Sequence, residues 1–285
     1  MTVRSSSTGP VRQQVEQAAK KAAAHPWFER LARFGYASKG VVYLIAGLFT
    51  ARAAFGLGGQ ATDKNGALLT ILAEPFGKFL LVLIGIGLIG YVLLRFVQAF
   101  LDPERKGNDA KGIAQRAGYL LSGLLYGGLA VSALRLAIGM PGGAGDRSQS
   151  LAARVFEVPL GRWLVGIAGL IVIGGGLYQL YKAYSADFSE HFRWNDMRPV
   201  EQAWASWLGR IGLAARGIVQ ALVGLFMTQA AVLFDPSKVQ GSGDAIQSLA
   251  HPPFGLWTVG VVALGLAAYG VYMLVASRYS RIVTQ

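Results

Sequence analysis

Arg33-Phe34-Gly35-Tyr36-Ala37-Ser38-Lys39-Gly40, running on into Val41-Val42-Tyr43-Leu44-Ile45-Ala46-Gly47-Leu48-Phe49, decides the fold because it occurs three times. The second copy is Arg116-Ala117-Gly118-Tyr119 with Gly123 and Tyr126, and the third is Arg210-Ile211-Gly212-Leu213 with Gly217 and Gly224. Each copy sets a basic residue two positions before a glycine and then enters an apolar helix. The interval is 83 residues from Gly40 to Gly123 and 94 from Gly123 to Gly217. The longer one takes in the segment from Asp187 to Trp207.

The surrounding composition sets the solvent. Of 285 residues, 53% are hydrophobic and only 15% charged, with 38 glycines and a mean hydropathy of +0.41. Soluble domains carry about 25% charged residues. Here the charges cluster between six long apolar runs, Gly35–Phe55, Gly77–Phe100, Ala117–Gly139, Leu160–Tyr184, Ile211–Phe234 and Phe254–Ser277. Each has about the 20 residues that cross roughly 30 Å of hydrocarbon as a helix. They are too long for strands and lack period-two alternation. The chain has no cysteine, which excludes disulfides, thiol chemistry and thiolate metal sites. The net charge of +12 comes with no nucleic-acid-binding motif, and no nucleic acid is expected as a partner.

The second span of each copy has its own start signal: Pro75-Phe76-Gly77, Pro159-Leu160-Gly161 and Pro253-Phe254-Gly255. Proline suits the first turn of a helix, where no N–H partner is lost. The repeating unit is therefore a helix pair. Three units with an even number of spans share one orientation, which makes them parallel repeats. The expected fold is an all-α integral membrane protein whose six transmembrane helices form a pseudo-three-fold bundle. Its parts are an N-terminal segment at 1–30, disordered to residue 10 and then helical, and repeats at 31–102, 113–184 and 207–279. The outer connections Ala67–Leu72, Leu151–Phe156 and Ala245–Leu249 read as short amphipathic helices that lie on the outer surface or cap the bundle. Trp27, Phe28 and Leu31 beside Arg30 and Arg33 read as an interfacial segment.

Orientation follows from lysine and arginine. Eighteen lie before the first span, between the second and third, between the fourth and fifth, or in the tail, against six on the other side. Lys39 and Arg216 are counted with the first set and Lys64 with the second. This bias puts both termini in the cytoplasm and accounts for the basic charge.

The threefold Arg-x-Gly helix, the Pro-x-Gly start of each partner helix and the six-span layout resemble a bacterial membrane-protein family of unknown function, catalogued as domain of unknown function 1206. The resemblance covers roughly Leu31 to Tyr279. The third copy departs from the pattern, with Leu213 in place of the tyrosine and Gln220 where Tyr43 and Tyr126 stand. The resemblance implies a bacterial inner (plasma) membrane and supplies no activity. Mitochondrial carriers are also three helix pairs, but their repeated Pro-x-Asp/Glu-x-x-Lys/Arg motif is missing.

Within the spans, Gly40, Gly47, Gly123, Gly217 and Gly224 read as helix-packing glycines. Gly85, Gly87 and Gly90 match a dinucleotide fingerprint, but inside an apolar helix they read the same way. Arg52 and Arg135 each follow their unit's helix glycine by twelve positions, and Gln229 is the third equivalent. Three polar groups at one level suggest a polar ring facing the bundle interior. The competing reading puts them at the outer end, ion-paired with Glu74 and Glu157 or snorkelling to headgroups. Arg95 reads as snorkelling to anionic lipid, and Gln98, Gln179 and Gln220 as interhelical hydrogen bonds. No Asp or Glu, histidine or central lysine is read inside a span. That leaves no catalytic residue, metal site, haem or Schiff base, so no cofactor and no enzyme is expected. The expected function is structural, lipid-binding or partner-binding, with the lipid bilayer and its anionic lipids as partner. A membrane-protein partner and the oligomeric state stay open. The alternative is a small channel or transporter for an anionic or neutral solute.

Overall fold

A computed structural model describes residues 25–58, 62–103, 107, 109–141, 153–185, 192, 196–250 and 255–280. The expected N-terminal disorder and helix at 1–24 lie outside them. Eight helices are defined among the described residues: α1 (Pro26–Ala54), α2 (Lys64–Ala73), α3 (Gly77–Leu101), α4 (Ala110–Ala137), α5 (Gly161–Ser185), α6 (Pro199–Leu233), α7 (Ser242–Ser248) and α8 (Leu256–Tyr279). Residues 153–156 add one helical turn in the outer connection of the second repeat. Six helices, α1, α3, α4, α5, α6 and α8, are long and apolar enough to cross a membrane.

Three helices start earlier than their apolar runs, α4 among them at Ala110, where Asp109 accepts from Gly112 N. α1 begins at Pro26, with the His25 ring nitrogen accepting from Trp27 N at 3.3 Å. Trp27, Phe28 and Leu31 thus form the first turns of the same helix as the span that follows. α6 begins at Pro199, twelve residues before the expected start, where the Glu201 carboxylate accepts from Arg198 N at 3.0 Å. A capped N-terminus carries the helix out through the polar stretch that hydropathy excludes.

The Pro-x-Gly signal works differently from the expectation. Pro75 lies two residues before α3, in a turn closed by Gly77 N donating to Glu74 O at 2.9 Å. Phe76 takes the left-handed conformation with φ 64° and ψ 14°. Proline then a positive φ is a type II turn. Leu160 repeats it with φ 68°, and Gly161 N donates to Val158 O at 2.8 Å. The glycine is needed because the chain doubles back: a Cβ on Gly77 would come 2.1 Å from Ile71 O, and one on Gly161 would come 1.6 Å from Val155 O. In the third copy Gly255 itself takes the positive φ, at 76°, and Pro253 lies outside the described residues.

The spans are neighbours in the order α4, α3, α1, α8, α6, α5. That is a ring of six open at one seam. In repeats 1 and 3 the two spans of a unit pack together, but α4 packs on α3 and α5 on α6, and α4 and α5 are not packed neighbours. The tight crossings run through glycines. A Cβ on Gly47 would lie 2.4 Å from Ala267 N of α8, and one on Gly40 would lie 2.8 Å from Gly270 O. Gly217 and Gly224 meet Gly176 O and Gly169 O of α5 at 2.8 and 2.7 Å, and Gly123 meets the Phe96 ring at 3.1 Å, measured the same way. Backbones this close trade side-chain bulk for dispersion contact, the main source of helix association in lipid. Exposed tryptophans mark both ends: Trp27, Trp204 and Trp207 at the end carrying the termini, Trp163 and Trp257 at the other.

The outer connections also differ from the expectation. α2 does not lie on the surface. Ala67 and Leu68 are fully buried, and the helix packs among α1, α3 and α4. Its approach is pinned by Thr50, whose hydroxyl donates to Thr62 O and accepts from Thr62 N, both at 2.8 Å. Asp63 then caps α2, accepting from Asn65 N and Gly66 N. α7 is tucked against α6 and α8 through Ala245 and Ile246.

Candidate functional site: a cationic tyrosine core

The polar ring does not form in the interior. Arg52 is exposed in the last turn of α1, its guanidinium 5.7 Å from the Phe49 ring. Gln229 is exposed on α6. Arg135 lies in the last turn of α4, half-buried, with its Nε buried and unbonded. Glu74 and Glu157 are exposed, and among the described residues neither pairs with a cation. Equal register along three helices does not make three residues face one axis. The helices are rotated differently by their packing.

The structure gathers another set. Lys39 stands near the middle of α1 and is 2% exposed. Its ammonium donates to the Tyr91 hydroxyl of α3 at 3.0 Å. It lies 4.6 Å from the ring centroids of both Tyr91 and Tyr126, and 5.4 Å from that of Tyr269. Lys64, at the start of α2, reaches to 5.7 Å from the Tyr43 ring and 5.8 Å from the Tyr126 ring. Arg216 of α6 donates to the Tyr269 hydroxyl at 3.0 Å and sits 5.2 Å from that ring. Tyr126 donates to the Tyr43 hydroxyl at 3.0 Å, and Tyr43 packs edge-on to Tyr269 at 4.9 Å.

Arg95 flanks this core. It donates to the Tyr91 hydroxyl and to Gln98 Oε1, each at 2.8 Å, and stacks on Tyr91 and Tyr119. It is tied into the bundle, which corrects the snorkelling reading. Gln98 accepts from Arg95 within α3. Gln179 does bond Gln220 across α5 and α6.

Four cations thus converge on one tyrosine box, and Arg95, Arg216 and Lys64 all lie within electrostatic reach of Lys39. Among the described residues no carboxylate pairs with any of them. Asp63, next to Lys64 in sequence, turns its oxygens to the α2 amides. Cation–π contact contributes ~0.5–2 kcal/mol per contact. A charge at membrane depth costs at least ~2.5–3.5 kcal/mol by insertion scales. Lys39, with three rings and a hydroxyl, is roughly compensated. The mutual repulsion of four like charges has no carboxylate counterpart among the described residues.

The core also follows the repeat. Lys39, Ser122 and Arg216 each immediately precede the helix glycines Gly40, Gly123 and Gly217. Tyr43, Tyr126 and Gln220 each follow those glycines by three. Tyr91, Gly175 and Tyr269 each follow Gly77, Gly161 and Gly255 by fourteen. Of these positions, Lys39, Arg216, Tyr43, Tyr126, Tyr91 and Tyr269 meet in the core, whereas Gln220 and Gly175 meet each other at the α5–α6 crossing. Aligning the three copies position by position was the signal that could have found them. Hydropathy counted Lys39 and Arg216 as loop charges and read no central lysine. Repeat 2 contributes Tyr126 to the core, and its other equivalents, Ser122 and Gly175, carry no charge.

The comparisons agree with the repeat. The Domain of Unknown Function (DUF1206) matches three times, at residues 34–102, 117–186 and 211–280. The chain is similar to "Uncharacterized protein YxxB" of Bacillus subtilis (strain 168), 35% identical over 254 residues, which span 89% of this chain and 92% of that protein. No solved structure matches it. With three matches along the chain and a relative over nearly its whole length, this multi-pass membrane protein belongs to the DUF1206 family, whose function is unknown.

Proposed function

We propose that the protein is a non-enzymatic channel or transporter of a bacterial plasma membrane that binds an anionic solute inside its helix ring. The observation that carries this reading is the gathering of four cations, Lys39 buried and Lys64, Arg95 and Arg216 half-buried, on one tyrosine cluster with no carboxylate among the described residues to balance them. Ionisable residues at membrane depth mark solute pathways, because their cost is otherwise not recovered. Lys39, Lys64 and Arg216 bind the anion, and Tyr43, Tyr126 and Tyr269 supply hydroxyls around it. The lysine and arginine bias supports termini on the cytoplasmic side.

The test uses full-length protein in nanodiscs and in liposomes. An anion that binds raises the unfolding midpoint by mass action, and Lys39→Met removes that rise. Flux of the same anion across loaded liposomes, lost in Lys39→Met, completes the reading. Anion-independent midpoints across a halide, carboxylate and oxyanion series would refute it.

A structural or partner-binding role has one observation of its own. α5 packs on α6 alone among the long helices and leaves Leu164, Ile167, Leu170 and Ile171 exposed beside the α4–α5 seam. Single cysteines at 167 and 171 that cross-link to another membrane protein in intact cells would favour it.

A further inference from the structure

Resting on that reading, we infer that the site takes a small, multiply charged oxyanion of the phosphate–sulfate class. Charge balance is the first reason. Lys39, Lys64 and Arg216 share one aromatic box, with Tyr126 common to both ammonium groups at 4.6 and 5.8 Å. Arg95 adds a fourth positive charge at its flank. A singly charged anion leaves most of this charge unbalanced in a poorly solvated interior, whereas a doubly charged one balances twice as much of it. Doubling the ligand's charge doubles its attraction to every cation at the same distance.

Donor count is the second reason. Lys39 spends one of its three protons on Tyr91, and Arg216 bonds Tyr269 through Nη1. Lys64 makes ring contacts, and no hydrogen bond from its ammonium to a described residue is seen. The box is thus rich in donors, and its acceptors are tyrosine hydroxyls. A ligand with several acceptor oxygens satisfies it, and a halide has no set of directed oxygens to offer. Charge-assisted bonds from ammonium and guanidinium to oxyanions are also the stronger kind.

The oxyanion has two sources, free inorganic phosphate or sulfate in the aqueous phase and the phosphate monoester headgroup of a lipid. The test follows the unfolding midpoint of the full-length protein in zwitterionic nanodiscs. Sodium phosphate, sulfate, chloride and acetate are titrated at one ionic strength. Phosphate or sulfate is expected to act at concentrations at least about tenfold below chloride. Nanodiscs containing phosphatidic acid form the second arm. A midpoint already raised there, and no longer responsive to phosphate, assigns the headgroup as the source. A response to free phosphate in both discs assigns the inorganic ion.

Lys64→Met, on a short helix outside the six spans, is the control for folding. It is expected to keep the fold and lose the preference for phosphate over chloride. Chloride acting as well as phosphate, with no effect of phosphatidic acid, overturns the oxyanion class but leaves an anion site standing. No response to any anion or to phosphatidic acid overturns both. A full phosphate preference surviving in Lys64→Met also overturns the assignment.

Discussion

Replacing Gly47 by alanine tests how the ring is held together. The new Cβ would stand 2.4 Å from Ala267 N, 2.6 Å from Ala263 O and 2.8 Å from Ala267 Cα, all backbone atoms of α8. Carbon contacts are comfortable at about 3.5–4.0 Å, so α1 and α8 must part by roughly 1 Å along this crossing. Overpacking of this kind costs about 1–3 kcal/mol. Alanine returns about 1 kcal/mol of helix propensity over glycine. The net expectation is a loss of about 0–2 kcal/mol. Gly128→Ala makes the same chemical change on α4, where a Cβ would meet nothing within 4 Å. It should gain up to about 1 kcal/mol. The two variants should therefore differ by the overpacking cost, about 1–3 kcal/mol, in denaturant-driven unfolding in one detergent. If they agree within about 0.5 kcal/mol, the close α1–α8 approach is wrong.

Thr50→Val takes away both bonds that hold Thr62, and should cost about 1–3 kcal/mol. Proteolysis of the α1–α2 connection is expected to speed up, and an unchanged rate would argue against an inserted α2. Gly77→Ala should be more damaging than any single crossing change, since its Cβ would meet the Ile71 carbonyl at 2.1 Å. Failure to accumulate folded protein is the expected result, and wild-type yield and midpoint would disprove the turn geometry. Arg52→Gln together with Gln229→Leu should leave stability within about 0.5 kcal/mol of wild type, because both side chains are exposed. The same pair should leave any anion-dependent midpoint shift unchanged, and loss of that shift would restore the polar ring.

Reading the tyrosine core from one sequence is hard for a specific reason. Lys39 sits in Tyr36-Ala37-Ser38-Lys39-Gly40, a stretch that also suits a charged helix end. Its burial depends on Tyr91 being 52 residues away in the chain and 3.0 Å away in space. Arg216 depends in the same way on Tyr269, 53 residues on. Arg52 and Arg135 show the reverse case. Their shared register was visible, but only helix rotation decided that they stay out of the interior.

The sequence by itself determined the elements that local physics controls. Six apolar runs of bilayer length and three copies of one helix pair settle the solvent, the helix count and the shared orientation. Hydrocarbon leaves an unpaired backbone no alternative to the helix. Tertiary structure decided what depends on how the helices turn against one another. It opened the ring at the α4–α5 seam and drew α2 in among α1, α3 and α4. It also turned Lys39, Lys64, Arg95 and Arg216 towards one set of tyrosines. Packing of glycine faces fixes those rotations to within a side chain's width, and no local pattern encodes them.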